Sequence, residues 1–118
     1  MKTPSTGKLL RIFVGERDRW EGQPLYTAIV QKLRAAGISG ATVFKGIESY
    51  GSHSVLHAAR VVDIAADLPV LIEVVDSEER IRDLMPMLDA MIPEGLVTLE
   101  NVEIIRYRKE RAGKGGAT

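Results

Sequence analysis

The sequence predicts an α+β fold, a βαββαβ sandwich with one antiparallel sheet and two helices on one face. Three observations carry this. Short apolar runs at residues 9–14 (LLRIFV), 41–48 (ATVFKGIE), 69–75 (PVLIEVV) and 96–108 read as strands. Two stretches with apolar residues at helical spacing lie between them. The order repeats as two similar halves of strand, helix and strand.

Residues 1–7 are polar and small, and read as a frayed start. Residues 9–14 are nearly all apolar and bounded by glycines, as a buried strand is. Residues 15–23 are polar and lead to Pro24, a good first helical position. Leu25, Ile29, Val30 and Leu33 then follow helical spacing, and Gly37 supplies the stop. Residues 41–48 give the second strand. Residues 49–54 (SYGSHS) read as a loop, and residues 55–68 fit either a short helix or a strand from Arg60 onward.

Residues 69–75 form the clearest strand. Asp76 or Ser77 can cap the next helix, with Glu78 and Glu79 in its first turn. Ile81, Leu84, Met85, Leu88 and Ile92 make its apolar face, and Pro86 inside it predicts a kink or a loosened ladder. Residues 109–118 lack large apolar side chains, hold three glycines and read as a mobile tail. The unit expected is a single ferredoxin-like domain over residues 8–108. Two helices shield only one side of a sheet, and LLRIFV and PVLIEVV are apolar on both sides. Self-association through the open face is therefore expected.

Charge and composition exclude several function classes. Sixteen Lys and Arg balance sixteen Asp and Glu, so bulk attraction to nucleic acid is not expected. There is no cysteine, which removes disulfides, thiolate metal sites and cysteine nucleophiles. No apolar run approaches the length of a membrane span, and the first residues do not read as a signal peptide. A cytoplasmic protein without direct membrane insertion is the expectation.

Four groups of residues are candidates for chemistry. Glycines at 37, 40, 46 and 51 bracket a strand, and glycine lets backbone amides approach phosphate. Taken alone they fit a helix stop, a turn and a loop entry better. Arg106 and Arg108 lie two apart in an extended segment, so they face one way and can fork onto an anion, or simply extend a basic tail. His53 and His57 stand four apart, a metal pair only if the segment is helical and another ligand contributes. Glu16, Asp18 and Glu21 surround Trp20, but Arg17 and Arg19 interleave them, which points to a salt-laced loop with Trp20 against the helix start. No nucleophile elbow, Walker loop or dinucleotide fingerprint is present, so no catalytic set and no enzyme are expected.

The stretch GISGATVFKGIESYG, then PVLIEVVD, then IIRYRK, resembles the PII signalling superfamily. There a G-x-T-G-x-T-V segment leads into a glycine-ended loop, an x-K-I-E-I-V-V strand follows, and an I-R-I-R strand closes the chain. LLRIFVGE, PLYTAIV, GATVFKGIESYG, LPVLIEVVDSEE and GLVTLENVEII together resemble more closely an uncharacterised PII-like family, domain of unknown function 190, also called uncharacterised protein family 0166. The resemblance implies a trimer whose sheets line a central core, with adenine nucleotide in clefts between subunits. It implies nucleotide contacts at Gly40, Thr42, Gly51, Glu73, Val75, Arg106 and Arg108. The loop over residues 49–60, with Tyr50, Ser52, His53 and His57, would meet a partner such as a membrane transporter or an enzyme.

Two departures refine this. The PII phosphate loop T-G-K-I-G-D-G-K-I-F-V has no counterpart, since residues 92–99 read IPEGLVTL. AMP, ADP or a cyclic nucleotide is therefore expected rather than ATP. Tyr50 is not at the modified-tyrosine position, so nucleotidylation is not implied. The function expected is non-catalytic regulation. The alternatives are a ligand-free trimeric interaction module, or a metal-binding trimer using His53 and His57.

Overall fold

The computed structural model describes residues 5–50 and 68–105. Gly51, Ser52, His53, His57, Arg106 and Arg108 lie outside the described residues, as does all but Leu68 of the ambiguous stretch 55–68.

Strand β1 (Ser5–Gly15) is longer than its apolar run suggests. Residues 5–7, read from composition as a frayed start, are instead strand. Their backbone pairs with Ile104, Glu103 and Val102, so hydrogen bonding overrides the polar side chains. A two-stranded hairpin follows, β2 (Arg19–Trp20) and β3 (Gln23–Pro24), which polarity alone concealed. Its turn residues Glu21 and Gly22 have φ of 46° and 86°, both positive, as the tight hairpin turn matching strand twist requires.

Helix α1 (Leu25–Ala35) begins one residue later than expected. Pro24 is the capping residue, at ψ 136°, and the first helical N–H, that of Leu25, donates to the Asp18 carbonyl at 2.7 Å. Gly37 ends the helix at φ 88°, the conformation its sequence position predicts.

Strand β4 (Thr42–Lys45) is shorter than the predicted stretch, and β5 (Pro69–Asp76) matches it closely. Helix α2 (Glu78–Met91) is capped by Ser77, whose Oγ accepts from the Arg80 N–H at 3.3 Å. The helix runs through Pro86 without ending. Pro86 and Arg82 are both exposed, so the carbonyl that Pro86 cannot serve faces water. Strand β6 (Leu96–Ile104) completes the fold.

The four long strands form one antiparallel sheet in the order β4-β5-β1-β6. This is the ferredoxin-like topology. In register, Ile12 faces Ile72 and Val97, and Arg11 faces Glu73 and Thr98. Period-two alternation then sorts the side chains. Leu10, Ile12, Val14, Val70, Ile72 and Val74 point to the helices and are buried with Leu25, Ile29, Leu33, Ile81, Leu84 and Leu88. Both helices therefore cover one face. The opposite face carries Leu9, Phe13, Phe44, Leu71, Val75 and Leu96, half-buried or exposed. Phe44 and Leu96 are 47% and 55% exposed, large for phenylalanine and leucine on the strands of a sheet.

Candidate functional site

One end of the sheet opens into a cleft of about 860 Å³. Its position follows from the strand directions. β5 ends there, β4 and β1 begin there, and β6 ends there, because each neighbouring pair is antiparallel. Thr42 stands opposite Glu73, and Ser5 opposite Ile104. Gly40, Thr42, Glu73 and Val75, four of the seven positions singled out in the sequence, come together in this lining. The other three, Gly51, Arg106 and Arg108, lie outside the described residues.

The local sequence explains the geometry. Gly37 turns the chain off α1, and Ile38 is buried, which anchors the segment leading to Ser39 and Gly40. Arg80 braces the same corner. Its Nη1 donates to the Gly37 carbonyl at 2.6 Å, and its Nε lies 3.9 Å from Asp76 Oδ1. A Cβ built on Gly40 meets nothing within 4 Å, so the chain's own packing leaves room at that position.

The cleft is amphipathic. Val75, Val102 and Ile104 supply apolar wall, and Ser39 and Thr42 supply hydroxyls. Its carboxylates are Glu73, Asp76 and Glu103, and no Lys or Arg occurs in the lining among the described residues. These groups suit a nucleoside, with apolar surface for a base and hydroxyl and carboxylate partners for a sugar. Phosphates need cations from elsewhere.

Sequence reasoning missed Ser39, Asp76, Ser77 and Glu103 as cleft residues. Only the strand order brings residue 39 and residue 103 to one end of the sheet. It also missed a charged cluster on the open face. Arg11 Nε donates to Glu73 Oε2 and its Nη1 to Glu100 Oε1, both at 2.9 Å. The Glu73 hydrogen bond, opposed by partial desolvation and reinforced by Glu100, raises the Arg11 pKa above its ordinary value. A signal existed. Arg11 and Glu73 are the lone charges inside two apolar runs, at positions that alternation puts on one face.

Two of the three acidic residues near Trp20, Asp18 and Glu16, are held by structural contacts, though with a backbone N–H and Lys45 rather than with the interleaved arginines. Asp18 Oδ2 accepts the Gly15 N–H at 2.9 Å, Glu16 pairs with Lys45 at 2.9 Å, and Trp20 packs on the core. Among the described residues no three potential metal ligands cluster. No described helix is long and apolar enough to cross a membrane.

A family model for DUF190, described as an uncharacterized ACR, matches residues 7–104. The chain belongs to the DUF190 family. An Aquifex aeolicus UPF0166 protein is 37% identical over 98 residues, covering 83% of this DUF190 chain and 92% of its own length. A Methanocaldococcus jannaschii UPF0166 protein is 38% identical over 100 residues, covering 84% and 92%. Solved structures share the fold at lower identity. CPII from Thiomonas intermedia K12, a structure bound to ADP, AMP and acetate, aligns with a TM-score of 0.63 at 17% identity, covering 89% of this chain and 94% of that one. A putative PII-like signaling protein from Thermus thermophilus aligns with a TM-score of 0.60 at 20% identity, covering 88% and 94%. The DUF190 chain is thus PII-like in fold.

Proposed function

We propose that this protein is a non-catalytic PII-like regulator that binds an adenine nucleotide in clefts completed between the subunits of a trimer. The observation that carries the reading is the cleft at the end of β5. It gathers Gly40, Thr42, Glu73 and Val75 where the family resemblance assigns nucleotide contacts. A neighbour in fold holds ADP and AMP, which supports the same ligand class here.

The described lining fits the nucleoside half of that ligand. Arg106 and Arg108 follow directly on β6 in the sequence and are the cations assigned to the phosphates. The open sheet face, apolar around Phe44, Leu71 and Leu96, is the surface assigned to the trimer. Ligand would bias the loop over residues 49–60 toward one state, and that loop would engage a transporter or enzyme in the cytoplasm. Such coupling requires ligand contacts that differ between loop states.

Titration calorimetry with AMP, ADP, ATP and cyclic AMP tests the ligand. Saturable heat with at least one is expected, weakened about tenfold or more by Arg106→Ala together with Arg108→Ala. Silence with all four at millimolar concentration would sink the nucleotide reading and leave an interaction module. Sedimentation of the full chain tests the trimer separately, and a monomer at every concentration would refute it.

A further inference from the structure

We propose that the base of the bound nucleotide lies on Ile104, whose side chain is laid across the sheet by the missing side chain of Gly7. This rests on the nucleotide reading above and places one part of the ligand within it.

The register sets the arrangement. On β1, Ser5 pairs with Ile104, Gly7 with Val102, and Leu9 with Val75. Residues 5, 7 and 9 share a face, so Ile104, Val102 and Val75 stand with Thr42 and Glu73 on the face turned away from the helices. All five line the cleft. Gly7 is buried although it lies near the start of its strand. The tip of Ile104 covers it. A Cβ built on Gly7 would meet Ile104 Cδ1 at 2.7 Å, Ile104 Cγ1 at 3.4 Å and the Asp76 carbonyl oxygen at 3.0 Å. The Ile104 side chain therefore leans off β6 and lies across β1, toward β5. Any other residue at position 7 would occupy that place and push Ile104 out of it.

The result is a flat apolar floor. Val75 rises from β5 on one side, Ile104 reaches over from β6 on the other, and position 7 puts no side chain between them. Val75 is 45% exposed and Ile104 is half-buried, so both have surface to give to a ligand. A planar ring gains most from such a floor, because one whole face leaves water and makes dispersion contacts. Sugar hydroxyls and phosphates gain least, because desolvating them against valine and isoleucine costs free energy. Thr42 and Glu73 border the floor, where the polar edge of a base needs partners.

The test is methyl NMR of the full chain with the isoleucine δ1 methyl groups carrying carbon-13. The Ile104 signal is identified by its loss in Ile104→Val. The tightest binder among AMP, ADP, ATP and cyclic AMP, at saturation, should move that signal upfield, as a methyl group beneath an aromatic ring moves. Ribose 5-phosphate, which lacks the base, should leave it in place. In calorimetry Ile104→Ala should weaken the same nucleotide about tenfold, the worth of about two buried methylene groups. Gly7→Ala should weaken it as well, by displacing Ile104. An Ile104 signal that stays in place or moves downfield while nucleotide binds overturns the assignment and leaves the nucleotide reading intact. An equal displacement by ribose 5-phosphate overturns it too, since the strand end would then be answering the phosphate. Absence of binding by all four nucleotides overturns it together with the reading it rests on.

Discussion

Ile72 and Leu71 are adjacent on β5 but face opposite sides of the sheet, and truncating each should have a different signature. Ile72 is fully buried, set between Ile12 and Val43 beneath the helices. Ile72→Ala removes atoms from a site that cannot collapse easily and should cost about 2–5 kcal/mol. Domains of this size hold only about 5–15 kcal/mol, so much of the stability goes. With a urea slope of about 2 kcal/mol/M, the midpoint should drop by roughly 1–2.5 M. That drop should be the same at every protein concentration. Leu71 is half-buried on the open face, opposite Phe13 and Phe44. Leu71→Ala should cost less in dilute protein and more in concentrated protein, because assembly stabilises the native protein by mass action. Urea curves across a hundredfold range of concentration measure both. Identical, concentration-independent losses for the two variants would refute a covered open face. An Ile72→Ala loss well under about 1 kcal/mol would refute the core assignment.

Two further substitutions probe local structure. Gly37→Ala meets no backbone clash, as Arg80 Nη1 is 3.6 Å from the added Cβ, but φ is +88°. The strain should cost roughly 1–2 kcal/mol in a thermal melt, and an unchanged melting temperature would count against that conformation. Ser77→Ala removes the α2 cap, whose 3.3 Å bond is long, so a loss near the low end of about 0.5–2 kcal/mol is expected by urea titration.

Strands and helices were legible because their periodicities are strong. PVLIEVV has no helical reading, and the spacing of Ile81, Leu84 and Leu88 has no strand reading. The hairpin at 19–24 was not legible, because it depends on two positive φ values at Glu21 and Gly22 inside a short polar stretch. The start of β1 was hidden for a related reason, since Ser5 and Thr6 are held by backbone partners almost a hundred positions away. The cleft was half legible. Glycine and threonine near β4 carry a family signature, whereas Glu103 joins the site only through strand order. Spacing in one chain carries no information about which strand ends meet.

The neutral total charge conceals one uneven surface, and that unevenness can be tested by counting. On the strand positions that face away from the helices, the only charged groups among the described residues of the four-stranded sheet are Arg11, Glu73 and Glu100. Their sum is one cation and two anions, set within Leu9, Phe13, Leu71 and Val75. Arg11 satisfies both acids, at 2.9 Å each, yet one negative charge remains. A second copy covering this face brings its own surplus charge into poorly hydrated surroundings, which opposes the apolar attraction. Glu100→Gln removes the surplus and keeps a hydrogen-bond acceptor for Arg11. It should therefore tighten self-association. Arg11→Ala leaves two carboxylates unpaired and should loosen it. Sedimentation equilibrium of the three proteins at one ionic strength gives the order directly. Weaker assembly in Glu100→Gln than in the native protein would mean that Glu100 bonds to the neighbouring copy, and the charge-surplus argument would fall. No change in either variant would place the triad outside the interface altogether.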